Sequence, residues 1–275
     1  MVTGASSGIG RVAAEELAKR GARLILVCRD PARGSAARDE ICAACGRDDV
    51  ELLLCDFASQ ASIRKAASEF LASPGRLHVL LNNAGVFNAR RRISAEDGLE
   101  ETFAVNHLGY FLLTTLLLER IVTSAPARIV NVASEAYRSG DGDFEDPNRE
   151  GRYRGMRSYG RSKLANLLFT CELAARLEGS GVTVNALHPG FVASGFGANN
   201  KLLRRVVKPL MRPFGRSPER GAESSIYLCA SPEVEGQSGG YYYDCKELAL
   251  LPLARDRAAA QRLWTLSERL TGLPR

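Results

Sequence analysis

A chain of 275 residues with 45% hydrophobic and 25% charged side chains has the composition of a globular protein with a full core. It contains no run of about 18 apolar residues that would suggest a bilayer span. A formal charge of +6 suits a small anionic partner better than nucleic acid, which calls for concentrated basic patches with interleaved aromatics. The cysteines number seven, odd and mostly in apolar surroundings, which argues against a disulfide framework and for reduced thiols in the cytoplasm. Cys42 and Cys45 have no second pair or histidine nearby to complete a metal site, so no metal is expected. The N-terminus lacks the order of a signal peptide.

No repeat, low-complexity tract or Gly/Ser linker divides the chain, so residues 1–275 are expected to form one domain. Only Met1 and Val2 precede Thr3-Gly4, whereas a buried strand usually has about five or six residues. Either translation begins upstream of this sequence or the first strand is unusually short. Thr3-Gly4-Ala5-Ser6-Ser7-Gly8-Ile9-Gly10 then reads T-G-x-x-x-G-x-G and leads into a helix over 9–20. Glycines at this spacing let backbone turn tightly against a pyrophosphate, which meets the positive end of the helix.

Short apolar runs then alternate with helical stretches. Strands are expected over 23–28, 50–55, 77–81, 128–133, 182–187 and 239–242. Helices are expected over 32–45, 61–72, 98–124, 159–177 and 218–230. Continuous apolar strands with helical crossovers predict an α/β fold, a single doubly wound parallel sheet covered on both faces. Polar motifs fall at the ends of these elements. Asn82-Asn83-Ala84-Gly85 follows one strand and Asn106-His107-Leu108-Gly109 lies in a helical stretch. Ser134 ends the strand Asn131-Val132-Ala133, Tyr159-Gly160-Arg161-Ser162-Lys163 opens a helix, and His188-Pro189-Gly190 closes another strand. Tyr159 and Lys163 are four residues apart and share one helix face. In isolation such a pair reads as a surface contact, and Ser134 as a polar strand cap.

In this order and on these elements the blocks resemble the short-chain dehydrogenase/reductase family, from Thr3 to about Gly272. The resemblance implies a Rossmann-type sheet and hydride transfer between NAD(P) and an alcohol or carbonyl group. It assigns Asn106, Ser134, Tyr159 and Lys163 to catalysis. Tyr159 would be the acid/base. A phenol ordinarily titrates near about pH 10, and a nearby ammonium and an oxidised nicotinamide would lower that. Ser134 would orient the substrate oxygen. Asn106 would kink its helix and hold a water leading to Lys163, and His107 reads as a packed histidine. The cofactor would meet Thr3, Gly4, Ser6, Ser7, Gly8, Ile9, Gly10, Asp56, Phe57, Asn83, Ala84, Gly85, Tyr159, Lys163, Pro189, Gly190, Val192 and Ser194. Where relatives preferring NAD place an aspartate this chain has Cys28, followed by Arg29. Cys28 does not repel a 2′-phosphate and Arg29 can hold one, so NADP is expected over NAD, with Asp30 tempering the case.

The 25-position step from Ser134 to Tyr159, Lys163-Leu164-Ala165-Asn166 and the tail Arg262-Leu263-Trp264 resemble the retinol dehydrogenase branch and its orphan dehydrogenase/reductase neighbours. The implied substrates are retinoids or other lipophilic alcohols and carbonyls. Steroids or small xenobiotic carbonyls stay open as an alternative, as does a non-catalytic cofactor-binding scaffold, against which the intact Ser, Tyr and Lys set argues. A substrate lid is expected at about 191–216. Within 201–216 the apolar residues mark one helical face and the basic residues the other. That face either packs on the protein's own core or also rests peripherally on a membrane surface, with Pro209 limiting any straight helix. A homo-oligomer also stays open.

Overall fold

The computed structural model describes residues 1–146, 148, 151, 153–192 and 215–273. Its strands are β1 (Val2–Thr3), β2 (Leu24–Cys28), β3 (Val50–Leu54), β4 (Val79–Asn82), β5 (Ala127–Val132), β6 (Val182–Leu187), β7 (Tyr241–Tyr243) and β8 (Lys246–Glu247). They form one sheet in the order β3-β2-β1-β4-β5-β6-β7-β8. The pairings are parallel up to β7, and β8 closes the edge antiparallel. β1 is short but central: Val2 and Thr3 pair with Leu26 and Val27 on one side, and Val2 with Leu81 on the other.

The apolar strands are continuous because both faces are covered. Successive residues point to opposite sides. Leu80, Ile129 and Val184 enter one core and Leu81, Val130 and Leu187 another. The first core is roofed by α3 (Gln60–Ala72), α5 (Gly109–Val122) and α6 (Gly155–Arg176) through Ile63, Leu113, Leu117 and Phe169. The second is roofed by α1 (Gly8–Lys19), α2 (Pro31–Cys45) and α7 (Pro218–Ala230) through Ala13, Leu17, Ile41 and Ile226. A third cluster joins α6 to α8 (Arg257–Thr271) through Leu164, Leu167, Leu263 and Leu266.

Several boundaries depart from the sequence reading. The helix expected over 98–124 begins as the short α4 (Glu101–Phe103), passes through a π-helical turn at Ala104–Leu108, and continues as α5. The helix expected to open at Tyr159 begins a turn earlier at Gly155, so Tyr159 stands in its second turn. Ser134 lies beyond the end of β5 and N-caps a 3₁₀ turn, Glu135–Ser139. The antiparallel β8 and the C-terminal α8 were not expected, although α8 carries clear signals. Asp256 caps its start by accepting from Ala259 N, Gly272 ends it at φ 61°, and Ala260, Leu263, Trp264, Ser267 and Thr271 line one buried face.

Candidate active site

The strand order reverses at β1, between β2 and β4, and in open parallel sheets ligands bind in the crevice beyond the carboxyl ends of strands at such a point. Two loops meet there. Thr3 Oγ1 accepts from Asn83 N at 2.8 Å and Ala84 N at 3.0 Å, and Asn83 Nδ2 donates to Thr3 O at 2.8 Å. This stitching leaves no space for side chains. A Cβ on Gly4 would stand 2.9 Å from Ala84 Cα, and one on Gly10 would fall on Asn83 Nδ2 and Gly4 O. Gly4 also has φ +66°, a conformation that L side chains rarely adopt.

Ser7 is the N-cap of α1 but makes no side-chain cap bond, and no acidic residue lies in the first turn. The backbone N–H groups at the start of α1 are therefore left to an outside anion. A glycine cradle and an uncapped helix N-terminus fit a diphosphate, which Gly4, Ser6, Ser7, Gly8, Ile9 and Gly10 could hold. At the end of β2, Cys28 is buried and its thiol is pushed up to about 11 by burial, so it stays neutral. Arg29 beyond it is exposed. Asp30 is occupied as the N-cap of α2, accepting from Arg33 N at 3.0 Å. Arg33, which the sequence reading passed over, acts electrostatically on Cys28, and its signal was its position four residues after Arg29. After β3, Asp56 Oδ1 accepts from Ala58 N at 3.0 Å, while Phe57 is buried against Gly109 at the start of α5.

The polar residues of the opposite wall come from three elements. Asn106 sits in the π-turn with its amide fully engaged. Its Oδ1 accepts from Val86 N at 2.7 Å, and its Nδ2 donates to Val86 O and Ser162 Oγ, each at 3.0 Å. The π-turn therefore ties the loop after β4 to α6. Ser134 accepts from Ala136 N at 3.2 Å and also bonds towards Tyr159. The Tyr159 ring meets Phe87 edge-on, with centroids 5.8 Å apart. Lys163 is 2% exposed and donates from Nζ to Val132 O at 2.8 Å. Its ammonium lies 5.7 Å from the Tyr159 ring centre.

Burial governs both titrations. It pushes Tyr159 up to about 12, against a lowering hydrogen bond from Ser134, and pulls Lys163 down to about 7. Enclosure of Tyr159 and the Ser134 hydrogen bond thus act in opposite directions on the phenol, and the enclosure is the larger. His107 is a buried histidine whose Nε2 meets Ser267 Oγ at 2.9 Å, and burial pulls it down to about 3, so it is neutral.

Pro189 and Gly190 follow β6, with Gly190 at φ +74° against Arg216. Val192 bridges Arg216, and Arg216 binds Asp244 through both guanidinium nitrogens while lying 4.6 Å over the Tyr243 ring. The base of the expected lid is thus pinned to β7, a contact with no sequence signal because its partners are 28 residues apart. Ser194 lies outside the described residues, as does 201–214 of the expected amphipathic segment. No helix among the described residues is long and apolar enough to cross a membrane.

The short chain dehydrogenase family profile matches residues 1–202. The chain belongs to the short-chain dehydrogenase family. This short-chain dehydrogenase is 48% identical to human retinol dehydrogenase 14, over 99% of its own length and 86% of the relative's. It is 44% identical to human retinol dehydrogenase 12, over 99% and 86% of the two chains. It is also 44% identical to dehydrogenase/reductase SDR family member 13 from Bos taurus, over 99% and 73%. Among solved structures, an uncharacterised protein from Mycobacterium paratuberculosis superposes with a TM-score of 0.78 at 32% identity, over 99% of this chain and 93% of that one. A Beutenbergia cavernae protein assigned as an NAD(P)-dependent gluconate 5-dehydrogenase, with NADP bound at low occupancy, superposes at 0.68 and 28% identity, over 88% and 93%. The short-chain dehydrogenase is therefore an oxidoreductase of CH–OH and C=O groups, similar to retinol dehydrogenases.

Proposed function

We propose that the protein is an NADP-dependent oxidoreductase of lipophilic alcohols and carbonyls, with retinoid-like compounds as the favoured class. The observation that carries this reading is the grouping of Ser134, Tyr159 and Lys163 at the same carboxyl edge of the parallel sheet as the uncapped N-terminus of α1. The bound dinucleotide supplies the hydride. Tyr159 gives its proton to the substrate oxygen in reduction and takes it back in oxidation. Its pKa of about 12 keeps the proton in place at neutral pH, as the acid of a reduction requires. Ser134 donates to the same oxygen and stabilises the charge that develops there. Lys163, held by the Val132 carbonyl and lowered to about 7 by burial, sets beside the phenol an amine that is charged in the lower part of the neutral range, and Asn106 locks the loop after β4 against α6.

Arg29 and Arg33 make the adenosine end attractive to a 2′-phosphate, because Cys28 is neutral and Asp30 faces its own helix. This supports NADP over NAD. Phe87 against Tyr159 and the exposed Phe191 beyond Gly190 support a lipophilic substrate. The test is NADPH consumption with all-trans-retinal, run beside decanal, a steroid ketone and a sugar aldehyde. Turnover highest on the retinoid with NADPH supports the reading, and turnover confined to the sugar or to NADH rejects it.

A further inference from the structure

On the reading that Tyr159 and Lys163 work together, we infer that Tyr110 is a positioning residue whose ring forms the second wall of a two-phenol enclosure around the Lys163 ammonium. Lys163 Nζ lies 5.6 Å from the Tyr110 ring centre and 5.7 Å from that of Tyr159, both within the range of a cation–π contact. An ammonium carries three donors, and Lys163 directs one at Val132 O. The titratable side chains that face it among the described residues are Tyr159 on its own helix and Tyr110 on α5, while β5 contributes only that carbonyl.

Tyr110 is fully buried, and among the described residues its hydroxyl has no hydrogen-bond partner. The part of Tyr110 that meets the ammonium is its ring. Burial raises Tyr110 well above the usual phenol range, which keeps it neutral. It therefore meets Lys163 as an aromatic face and not as an anion. The same burial that pulls Lys163 down to about 7 makes this face consequential. The ring favours the charged amine and holds the titration up, so removing the ring lets it fall further.

The chain has only six lysines, so the full-length protein with ¹³Cε-labelled lysine gives few NMR signals, and Lys163→Arg assigns the one of interest. Tyr110→Phe keeps the face, and Tyr110→Met fills the space without one. Pentafluorophenylalanine at position 110 keeps nearly the shape of phenylalanine but reverses the charge of its face, and it serves if the methionine variant does not fold. The wild type and Tyr110→Phe are expected to titrate together. The other two should titrate about one pH unit lower, a roughly tenfold fall in the ratio of ammonium to amine at fixed pH. Two results overturn the inference: titration of both face-lacking variants with the wild type, or a shift in Tyr110→Phe as large as theirs. Neither result bears on whether Tyr159 is the acid/base, which Tyr159→Phe turnover decides separately.

Discussion

Tyr159 and Lys163 show how one environment acts on two neighbouring groups in opposite directions. Burial favours the neutral form of each, raising the phenol to about 12 and lowering the amine from 10.5 to about 7. The amine has a consequence for stability. Between about pH 7 and 10 the unfolded chain binds more protons at Lys163 than the folded one, so its contribution to stability is present at high pH and lost as pH falls toward 7. Melting temperature in the wild type should therefore climb with pH across this window more steeply than in Lys163→Met. Parallel curves would show that the folded protein leaves Lys163 near its ordinary value. Tyr159→Phe should lower turnover by ~10²- to 10⁴-fold while NADPH affinity, read by fluorescence titration, stays nearly unchanged. At the adenosine end, Arg29→Asp should move the ratio of NADPH to NADH affinity toward NADH, and paired titrations that leave the ratio unchanged would reject the role given to Arg29.

At the scale of elements, the motifs were legible where chemistry fixes local backbone. Gly4 and Gly10 could be picked out because only a missing side chain permits the contacts with Ala84, Asn83 and Gly4 O. The strand at 182–187 was read with its observed ends because its β-branched start, Val182-Thr183-Val184, follows Gly181 and its end runs into His188-Pro189-Gly190. The π-turn at Ala104–Leu108 was invisible because helical periodicity in the sequence does not reveal one inserted residue. The side-chain links of Asn106 to Val86 and Ser162 depend on partners from distant segments. By contrast, α8 carries its caps and its buried face in the local sequence and was legible there, although it was not among the expected helices. Gly10→Ala tests the element-level account: overpacking typically costs ~1–3 kcal/mol. It should lower both the melting temperature and NADPH affinity, and a variant that loses neither would show that the two loops can separate.

For the whole molecule, the two apolar cores on either face of the sheet hold the carboxyl ends of the strands in register, and the described candidate site residues gather at that edge. Binding of a dinucleotide there should stabilise the entire fold. At a concentration about 100 times Kd the gain is ~2.7 kcal/mol, or roughly 5–10 °C in melting temperature for a domain of this size. NADPH should shift the melt more than NADH at equal concentration, and equal shifts would count against the NADP reading. The central claim is tested most directly by following the hydride itself. Full-length protein is supplied with NADPH deuterated at both C4 positions together with all-trans-retinal, and the retinoid alcohol is weighed by mass spectrometry. The account predicts one deuterium in the alcohol formed by the wild type and almost none from Tyr159→Phe in the same time. Absence of labelled alcohol from the wild type, or equal labelling by the variant, would contradict it.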